Sequence, residues 1–521
     1  MNRSSTGPDL PRWHPRFSVG IAMIKPFGSL PPTAGRILVL GLGLCFFTQG
    51  LAQPIQLHSA NPHYFFWRGK PTILITSAEH YGMVINPDLD YRRYLETLRA
   101  DGLNYTRVFA GAYVEKPGAF GIARNNLAPG TGKFLAPWAR SPVGGYAGGG
   151  NKFDLARWNP DYFKRLTDFV QEAGQRGIVV EVTLFSSIYS GEQWSFSPFN
   201  PTNNVNGTRL TDWRRLHTRT NDGLLVVQEA YVRQIVRALN SHDNVFYELQ
   251  NEPWSDHHTM GDLINPYLPD TPEFPNAVEI TTAPSLEWQA TVASWITREE
   301  SALPQRHLIA QNIANFRLPV RETDIAPGVG ILNFHYAYPE AVAWNYGLAR
   351  AIGYDESGFA GSADDTYRRE AWAFLMAGGA LFNHLDYSFT AGAEDGTDTA
   401  LNGPGGGSPA LRRQFNVLGE FIRSFNFVAL RPDSQVVRKS PGVVTRVLSQ
   451  PGVAYALYAR GRSPCAIELE LPPGPYRVDW VETRTGRILH AEAVAHRGGP
   501  CRLQSPAFED DIALRLLRAV R

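Results

Sequence analysis

The sequence predicts a (β/α)8 TIM barrel followed by a small antiparallel β-sandwich. Eight short apolar segments alternate with amphipathic segments from about residue 70 to residue 425. The connections that follow the apolar segments are long, and those that precede them are short. From residue 431 onward, helical periodicity gives way to alternating apolar and polar residues. We therefore place an N-terminal extension with a signal peptide at residues 1–52, a (β/α)8 barrel at 53–430 and a β-sandwich at 431–521.

The eight apolar segments have the length and composition of buried parallel strands. They are residues 73–77, 105–109, 178–184, 245–249, 308–311, 331–334, 351–354 and 380–385. Between them, segments such as "PDYFKRLTDFVQEAGQRG" repeat apolar residues at helical spacing, and Asn159, Pro160 and Gly177 suit its N-cap, first helical position and exit. Eight alternating units predict a closed parallel barrel.

Loop length is asymmetric along the barrel. The helix-to-strand connections are terse, for example "DG" at residues 101–102 and "RG" at 176–177. The strand-to-helix connections are long, and the one after the second strand contains the glycine-rich "GGYAGGG". Long loops in a compact domain are usually functional, and barrel enzymes place their active sites at the C-terminal ends of the strands. We expect the functional site on that face.

The C-terminal region reads as short antiparallel strands separated by turn residues. Its runs include "VVTRVLS", "VAYALYARG", "AIELELPPG", "YRVDWVE" and "DIALRLL". Cys465 and Cys501 lie in this region. In an oxidising compartment they are able to form a disulfide, and two buried free thiols are the alternative.

The net charge of the chain and its N-terminal sequence indicate which binding partners and which cellular location to expect. Fifty basic residues against 49 acidic ones give a net charge of +1, which does not favour nucleic acid or an anionic membrane surface as a partner. Arg36 precedes the apolar run 37–47, and Gly50 and Ala52 suit cleavage before Gln53. The run is shorter than the roughly 20 residues that span a bilayer. We expect a secreted or periplasmic protein with no integral membrane segment after cleavage.

Glu252 is the strongest candidate for a catalytic residue. The segment "NVFYELQNEPW" is a core strand that ends in Asn251, Glu252 and Pro253. Pro253 discourages helix at the preceding residue and so ends the strand with Glu252 at its C-terminal tip. Asn251 places an amide beside it that is able to hydrogen-bond a substrate hydroxyl.

Glycoside hydrolysis requires a second carboxylate across the bond that is cleaved. Glu356 meets this requirement, because "RAIGYDESGF" places it at the exit of the seventh strand, across the barrel mouth from the fourth. Asp355, which would face the opposite way in a continuous strand, and Asp386, at the tip of the eighth strand, are the alternatives.

The sixth and second strands carry further polar residues. His335 and Tyr336 fall at the tip of the sixth strand, beside the seventh, where a tyrosine hydroxyl is able to orient the nucleophilic carboxylate. Arg107 lies inside the second strand, and a cation there requires a partner such as Glu248 or Glu356.

These segments carry a family resemblance. "GLNYTRVF", "FYELQNEPW", "NFHYAYP" and "GYDESGF", on strands two, four, six and seven, resemble the retaining glycoside hydrolases of clan A, most closely the family 5 cellulase-like members, over about residues 54–425. The resemblance implies that Asn251 contacts the sugar 2-hydroxyl, that Glu252 is the acid/base and that Glu356 is the nucleophile. It makes Tyr336 the hydrogen-bond partner of Glu356.

The resemblance also implies that Arg107 and His335 support the cleft. The third strand ends in "EVTLFSS", without the histidine that many family members have there, and the eighth reads "LFNHLDYSF", without their tryptophan. His80, Trp254 and Tyr387 are the candidates for further sugar contacts. The tail segments "PYRVDWVETRTGRIL" and "SPAFEDDIALRLL" resemble the β-sandwich known as a collagen-binding domain, a name that we take for the fold alone.

The sequence therefore predicts a retaining glycosidase that acts on a carbohydrate without a cofactor. His257 and His258 are the only suggestion of a metal site, and adjacent residues rarely converge on one ion. A metal-dependent amidohydrolase would need a His-x-His pair that "ITSAEHYG" lacks. The alternative function is a non-catalytic glycan- or matrix-binding protein that uses the barrel as a scaffold.

Overall fold

The protein is described by a computed structural model over residues 52–263, 277–400 and 403–519. The apolar run of the predicted export signal, residues 37–47, lies outside these ranges. Within the described residues, no helix is both long enough and apolar enough to cross a bilayer.

Eight parallel strands form the central sheet, which confirms the predicted barrel. The strands are β1 (Leu74–Ala78), β2 (Tyr105–Phe109), β3 (Val179–Ser186), β4 (Val245–Asn251), β5 (Ile309–Asn312), β6 (Val329–His335), β7 (Ala351–Ser357) and β8 (Leu381–Leu385). They pair in the order β1-β8-β7-β6-β5-β4-β3-β2. Every residue of these strands is buried, because helices cover the outer face and side chains fill the interior.

Two backbone hydrogen bonds and the Asn104 side chain, rather than a regular ladder, join the β1 and β2 segments where the barrel closes. The Asn104 Oδ1 accepts a hydrogen bond from the Ile75 amide at 3.0 Å, and its Nδ2 donates to the Ile73 carbonyl at 2.9 Å. These two bonds satisfy backbone groups that a neighbouring strand would otherwise satisfy.

The helices that alternate with the strands lie on the outside of the barrel. They are α1 (Tyr91–Ala100), α2 (Pro160–Gln175), α3 (Leu225–Leu239), α4 (Ala283–Ser301), α5 (Pro339–Asn345), α6 (Asp364–Leu375) and α7 (Pro409–Arg423). As predicted, the Asn159 side chain caps α2 and Pro160 is its first residue. The connection from β5 to β6 departs from the alternation, since it forms only the 3-10 turn Glu322–Asp324. Pro319 and Pro327 divide this short segment and leave no room for a helix.

An N-terminal antiparallel sheet seals one end of the barrel. Its strands are Gln56–His58, Asn61–Trp67 and Lys70–Thr72. Phe65 and Trp67 from this sheet form one apolar cluster with residues at the N-terminal ends of the barrel strands, among them Tyr105, Phe246 and Ile331. Access to the barrel interior is therefore left to the opposite end, where the long loops lie.

The strand-to-helix loops carry their own short elements. A hairpin of Trp138–Gly144 and Asn151–Trp158 follows β2, and the four-residue helix Gly191–Trp194 follows β3. After β4 the chain forms the 3-10 turn Pro253–Ser255 and a hairpin of His258–Leu263 and Ala277–Thr281.

The C-terminal region forms two antiparallel sheets around a separate apolar core, as the sequence predicts. The larger sheet contains Arg431–Pro432, Val443–Gln450, Ala454–Gly461, Asp511–Arg518, Gly474–Val481 and Ile488–His496, in that order. The smaller sheet contains Val437–Lys439, Ala466–Leu471 and Gly499–Gln504.

Cys465 and Cys501 are buried free thiols, so the disulfide alternative is wrong. The two residues lie on paired strands, but Cys501 pairs with Leu469 and the neighbour of Cys465, Ala466, pairs with Gln504. This register separates the cysteines by about four residues along the strands, or roughly 13 Å at 3.3 Å per residue. A disulfide needs Cα atoms within about 7 Å.

A buried polar cluster joins the sandwich to the barrel. The Arg368 Nη1 of α6 donates to Asp511 Oδ2 at 2.5 Å and to Thr483 Oγ1 at 2.8 Å. The Tyr458 hydroxyl donates to the same carboxylate at 2.8 Å, and its ring stacks on Trp372 with centroids 5.6 Å apart. The side chains of Arg368 and Asp511 are both fully buried.

Candidate active site

A cavity of about 890 Å³ opens at the C-terminal ends of the barrel strands. Its wall is built from residues just beyond β1, β3, β4, β6 and β7 and from the loops that follow them. Glu252 and Glu356 both line it. The predicted functional face and the main cavity of the described residues therefore coincide.

Glu356 reaches the cavity because β7 contains a bulge. Phe334 pairs with Tyr354 and His335 pairs with Glu356, so one residue of β7, Asp355, has no partner on β6. A bulge lets two successive side chains point the same way. The expectation that Asp355 faces away from Glu356 is thus wrong, since both carboxylates turn toward the barrel interior and approach His335 to 3.5 Å.

Hydrogen-bond donors on β2 and shortly after β1 and β6 hold the Glu356 carboxylate. The Tyr336 hydroxyl donates to Oε1 at 2.8 Å. The Tyr81 hydroxyl donates to Oε2 at 2.9 Å, and Arg107 Nη1 donates to the same oxygen at 3.2 Å. Both oxygens are therefore fixed in the cavity wall, with Glu356 only 6% exposed.

Glu252 follows β4 in the left-handed region, with φ 48° and ψ 52°. Pro253 disfavours the right-handed helical region for the residue before it, and β4 ends at Asn251 as expected. Glu252 Oε1 lies 2.9 Å from His335 Nδ1, and Oε2 accepts a hydrogen bond from the Tyr189 hydroxyl at 2.8 Å. Burial opposes ionisation of this carboxyl, but the hydrogen bonds from His335 and Tyr189 outweigh it and hold its pKa below the usual range.

The two carboxylates share one histidine. One oxygen of Glu252, one of Glu356 and a ring nitrogen of His335 all lie within 4.8 Å of one another. Although burial disfavours the imidazolium, the charges of Glu356 and Asp355 hold the pKa of His335 well above its ordinary value. The two carboxylates thus favour the positively charged form of His335, whose ring lies beside both of them.

Arg107 occupies the centre of the barrel beneath this pair and is fully buried. Its Nη2 donates to Glu248 Oε2 at 2.5 Å and to Asn251 Oδ1 at 2.8 Å. It also lies 3.5 Å from Asp355. Arg107 therefore has the carboxylate partners that a buried cation needs, Glu248 and Glu356, and it holds Asn251 at the cavity wall.

Several buried carboxyl groups surround Arg107, and burial raises the pKa of two of them. Burial raises the pKa of Glu248 to about 7, even though Arg107 opposes the shift. Burial also raises the pKa of Glu181 well above its usual range. These shifts favour the neutral forms of the two groups, and a proton on either one reduces the negative charge beneath Glu252 and Glu356.

Asp386, the other alternative nucleophile, is bonded to neighbouring side chains away from the cavity. It is buried and accepts hydrogen bonds from Arg412 Nη1 at 2.8 Å and Ser77 Oγ at 2.9 Å. It does not line the cavity.

The remaining predicted sugar contacts divide into two groups. His80 and Trp254 line the cavity. His80 Nε2 lies 3.2 Å from Glu115 Oε2, and the Trp254 ring meets His335 edge-on with centroids 5.3 Å apart. Tyr387 lies 6.0 Å from His80 between ring centroids but does not reach the cavity wall.

Two tyrosines that the sequence does not predict for the site touch the carboxylates of Glu252 and Glu356. Tyr81, directly after His80, bonds Glu356, and Tyr189, three residues beyond β3, bonds Glu252 and accepts a hydrogen bond from Asn251 Nδ2 at 2.8 Å. Their signal in the sequence is an aromatic residue shortly after a barrel strand. That signal is weak because the conformation of an irregular loop decides where such a side chain points.

Left-handed backbone is concentrated at this cavity. Among the described residues, nine that are not glycine have positive φ, and six of the nine line the cavity. These six are Tyr81, Phe120, Glu252, Phe316, Tyr336 and Phe359. Bulky residues avoid this region because Cβ approaches the backbone too closely, so the strain marks positions that are fixed by the requirements of a site.

Two groups of buried side chains have the spacing of metal ligands, and a guanidinium group lies beside both. The groups Glu248–His335–Asp355 and Glu252–His335–Glu356 have ligand atoms within 4.8 Å of one another. Arg107, at 2.5 Å from Glu248 and 3.2 Å from Glu356, already supplies a cation there. The prediction that no cofactor takes part stays a prediction.

Solved structures share this architecture. A glycoside hydrolase matches with a TM-score of 0.58 and 12% sequence identity, over 90% of this chain and 98% of that chain. A glycoside hydrolase family 5 protein from Bacteroides vulgatus matches with a TM-score of 0.56 and 12% identity, over 90% and 93%. No family model and no curated protein matches the sequence. At this level of identity the likeness is one of fold, and the chain has the barrel and C-terminal sheets of these glycoside hydrolases.

Proposed function

We propose that the protein is a glycoside hydrolase that cleaves O-glycosidic bonds of an oligo- or polysaccharide with retention of configuration. The observation that carries the proposal is the pair Glu252 and Glu356, which project from β4 and β7 into one cavity with oxygens within 4.8 Å. Retaining glycosidases hold their carboxyl groups about 5–5.5 Å apart, whereas inverting ones leave about 6.5–9.5 Å for a water molecule.

In the first step, Glu356 attacks the anomeric carbon and Glu252 protonates the departing glycosidic oxygen, which leaves a glycosyl ester on Glu356. Tyr336, Tyr81 and Arg107 fix the attacking carboxylate. Glu252 must carry a proton at this stage. A sugar that fills the cavity displaces water and disfavours the ionised carboxyl, which favours the acid form.

In the second step, Glu252 takes a proton from a water molecule that attacks the same carbon, and the ester bond to Glu356 breaks. The ester carries no charge, so Glu252 loses a negative neighbour and its pKa falls. The change suits its new role as base. Two displacements at one carbon restore the original configuration.

Other features of the cavity support a carbohydrate as the substrate. Asn251 places its amide beside Glu252, where the resemblance predicts a contact with the 2-hydroxyl, and His80 and Trp254 are available for other sugar contacts. The similar solved structures are described as glycoside hydrolases. Export of the protein by its N-terminal segment remains a further proposal, and the collagen-binding name of the sandwich remains a resemblance.

The test is to incubate the purified protein with a panel of aryl glycosides and polysaccharides and to follow the first-formed product by ¹H NMR. We expect hydrolysis of at least one substrate with the anomeric configuration retained. Inverted product would contradict the mechanism. Saturable binding of a glycan without any turnover would favour the non-catalytic glycan-binding alternative.

Replacing Tyr189 with phenylalanine is expected to move the basic limb of the kcat/KM–pH profile upward by about one pH unit. The Tyr189 hydroxyl donates to Glu252 at 2.8 Å and helps to lower its pKa. The variant loses this donor, so the pKa of Glu252 rises. Because Glu252 acts first as an acid, activity disappears as pH rises through its pKa, and a higher pKa shifts that loss to higher pH.

Tyr113→Phe is the matched control for this prediction. Tyr113 contacts the Tyr189 ring at 6.3 Å between centroids, but its hydroxyl donates to Glu115 at 3.2 Å. We expect its basic limb to coincide with that of the wild type. A downward shift or an unchanged limb in the Tyr189 variant would contradict the assignment of Glu252 as the acid.

A further inference from the structure

The catalytic cavity extends to the C-terminal sandwich. Beyond the loop that follows β7, its wall includes Thr366, Arg369, Glu370 and Ala373 of α6. It also includes Arg460, which belongs to the sandwich strand Ala454–Gly461. The two domains thus share one cavity.

Arg460 lies on the side of the sandwich that faces the barrel. Side chains two residues apart on a strand share a face. Tyr458, two residues earlier, packs on Trp372 of α6 and bonds Asp511, which in turn binds Arg368. Arg460 therefore projects to the same side at the end of the strand, where it reaches the cavity.

Arg369 reaches the same place from the barrel. Its Nη1 lies 3.7 Å from Asp510 Oδ2, next to Asp511, the residue that pairs with Arg460 across the sheet. This ion pair is long, and within the described residues the Arg460 side chain has no hydrogen bond or ion pair. A guanidinium carries five N–H donors, so most of the donors of both arginines remain available.

Glu370, the acidic residue next to Arg369 in this wall, feels the charge of Arg369 but forms its hydrogen bonds with two hydroxyl groups. The Glu370 carboxylate accepts hydrogen bonds from the Tyr354 hydroxyl at 3.0 Å and from Ser357 Oγ at 2.7 Å. Burial also raises the pKa of Glu370, which favours its neutral form. Within the described residues Glu370 forms no direct ion pair with Arg369 or Arg460, so it occupies none of their N–H donors.

We propose that Arg369 and Arg460 form a subsite for an acidic sugar, one that bears a carboxylate or a sulfate group. The proposal rests on the proposed glycosidase function and specifies its substrate class. The planar guanidinium matches the two oxygens of a carboxylate or sulfate, and both groups lie along the wall that leads from the catalytic pair. The sandwich then takes part in substrate recognition through Arg460.

The test measures binding by isothermal titration calorimetry, with the full chain carrying Glu356→Gln to prevent turnover. The ligands are glucuronoxylan oligosaccharides and oligogalacturonides, each beside its carboxyl-reduced form, and sulfated oligosaccharides beside their desulfated forms. We expect one acidic ligand to bind at least tenfold more tightly than its neutral partner. Arg369→Gln and Arg460→Gln should each lower that affinity about tenfold without changing the affinity for the neutral form.

Arg438→Gln is the control, since Arg438 is an exposed sandwich residue that pairs with Glu470 away from the cavity. It should leave both affinities unchanged. Equal binding of every acidic ligand and its neutral partner would overturn the subsite, as would an equal loss for both forms in the arginine variants. Calorimetry detects binding whether or not hydrolysis occurs, so failure of the subsite is distinguishable from failure of the glycosidase proposal.

Discussion

Glu356→Gln is expected to lower kcat on an activated aryl glycoside by roughly four to six orders of magnitude, the scale of loss when a catalytic nucleophile is removed. Glutamine preserves the shape of the side chain and keeps an oxygen for the Tyr336 or Tyr81 hydroxyl. It has no negative charge with which to attack the anomeric carbon, so the glycosyl ester does not form. The measurement is the initial rate of aryl alcohol release under saturating substrate.

Chemical rescue separates loss of the nucleophile from loss of the fold. Glu356→Ala with added azide should recover part of the activity and yield a glycosyl azide of inverted configuration, because azide attacks from the vacated side in a single displacement. Glu322→Gln, at an exposed position that pairs with Arg350, serves as the surface control and should retain full activity. Wild-type rates in Glu356→Gln would refute the assignment.

Arg368→Ala is expected to lower the free energy of unfolding by about 3–5 kcal/mol. The change leaves the Asp511 carboxylate buried between the two domains without its cation, with only the hydroxyls of Thr483 and Tyr458 as donors. A buried charge without its partner is costly, whereas the intact pair contributes little net stability. Urea unfolding followed by tryptophan fluorescence measures the change.

Arg446→Ala provides the comparison at the same interface. Arg446 pairs with Glu340 of α5 at 3.6 Å, and both side chains are about one-third exposed. Water screens this pair, and we expect a loss of about 1 kcal/mol or less. Similar losses for the two variants would show that burial of the Arg368 pair does not govern the stability of the interface.

The barrel was predictable because its strands are fully buried on both faces and therefore read as continuous apolar runs. Periodicity does not reveal how the barrel closes, since the closure includes hydrogen bonds between the Asn104 side chain and backbone groups near β1. It also does not reveal that the fifth unit lacks a helix. That outcome depends on two prolines in a short connection, Pro319 and Pro327.

The residues of the candidate active site were predictable where they lie on or directly after a barrel strand. Glu252, Glu356 and Arg107 lie on or directly after strands whose ends must meet in a barrel, and the structure brings them together. Tyr81 and Tyr189 were not predictable, because loops place them. Asp355 was misread, since a bulge in β7 reverses the alternation that the sequence implies.

The left-handed residues around the cavity have a consequence for the whole molecule. Each bulky residue held in this conformation costs roughly 1–2 kcal/mol, so six together cost on the order of 10 kcal/mol. That sum is similar to the entire net stability of a typical domain, about 5–15 kcal/mol. The backbone at the mouth of the barrel is therefore strained, and the rest of the fold keeps it in this conformation. The apolar cluster at the opposite end of the barrel and the sandwich packed on α6 contribute the stability that offsets this strain.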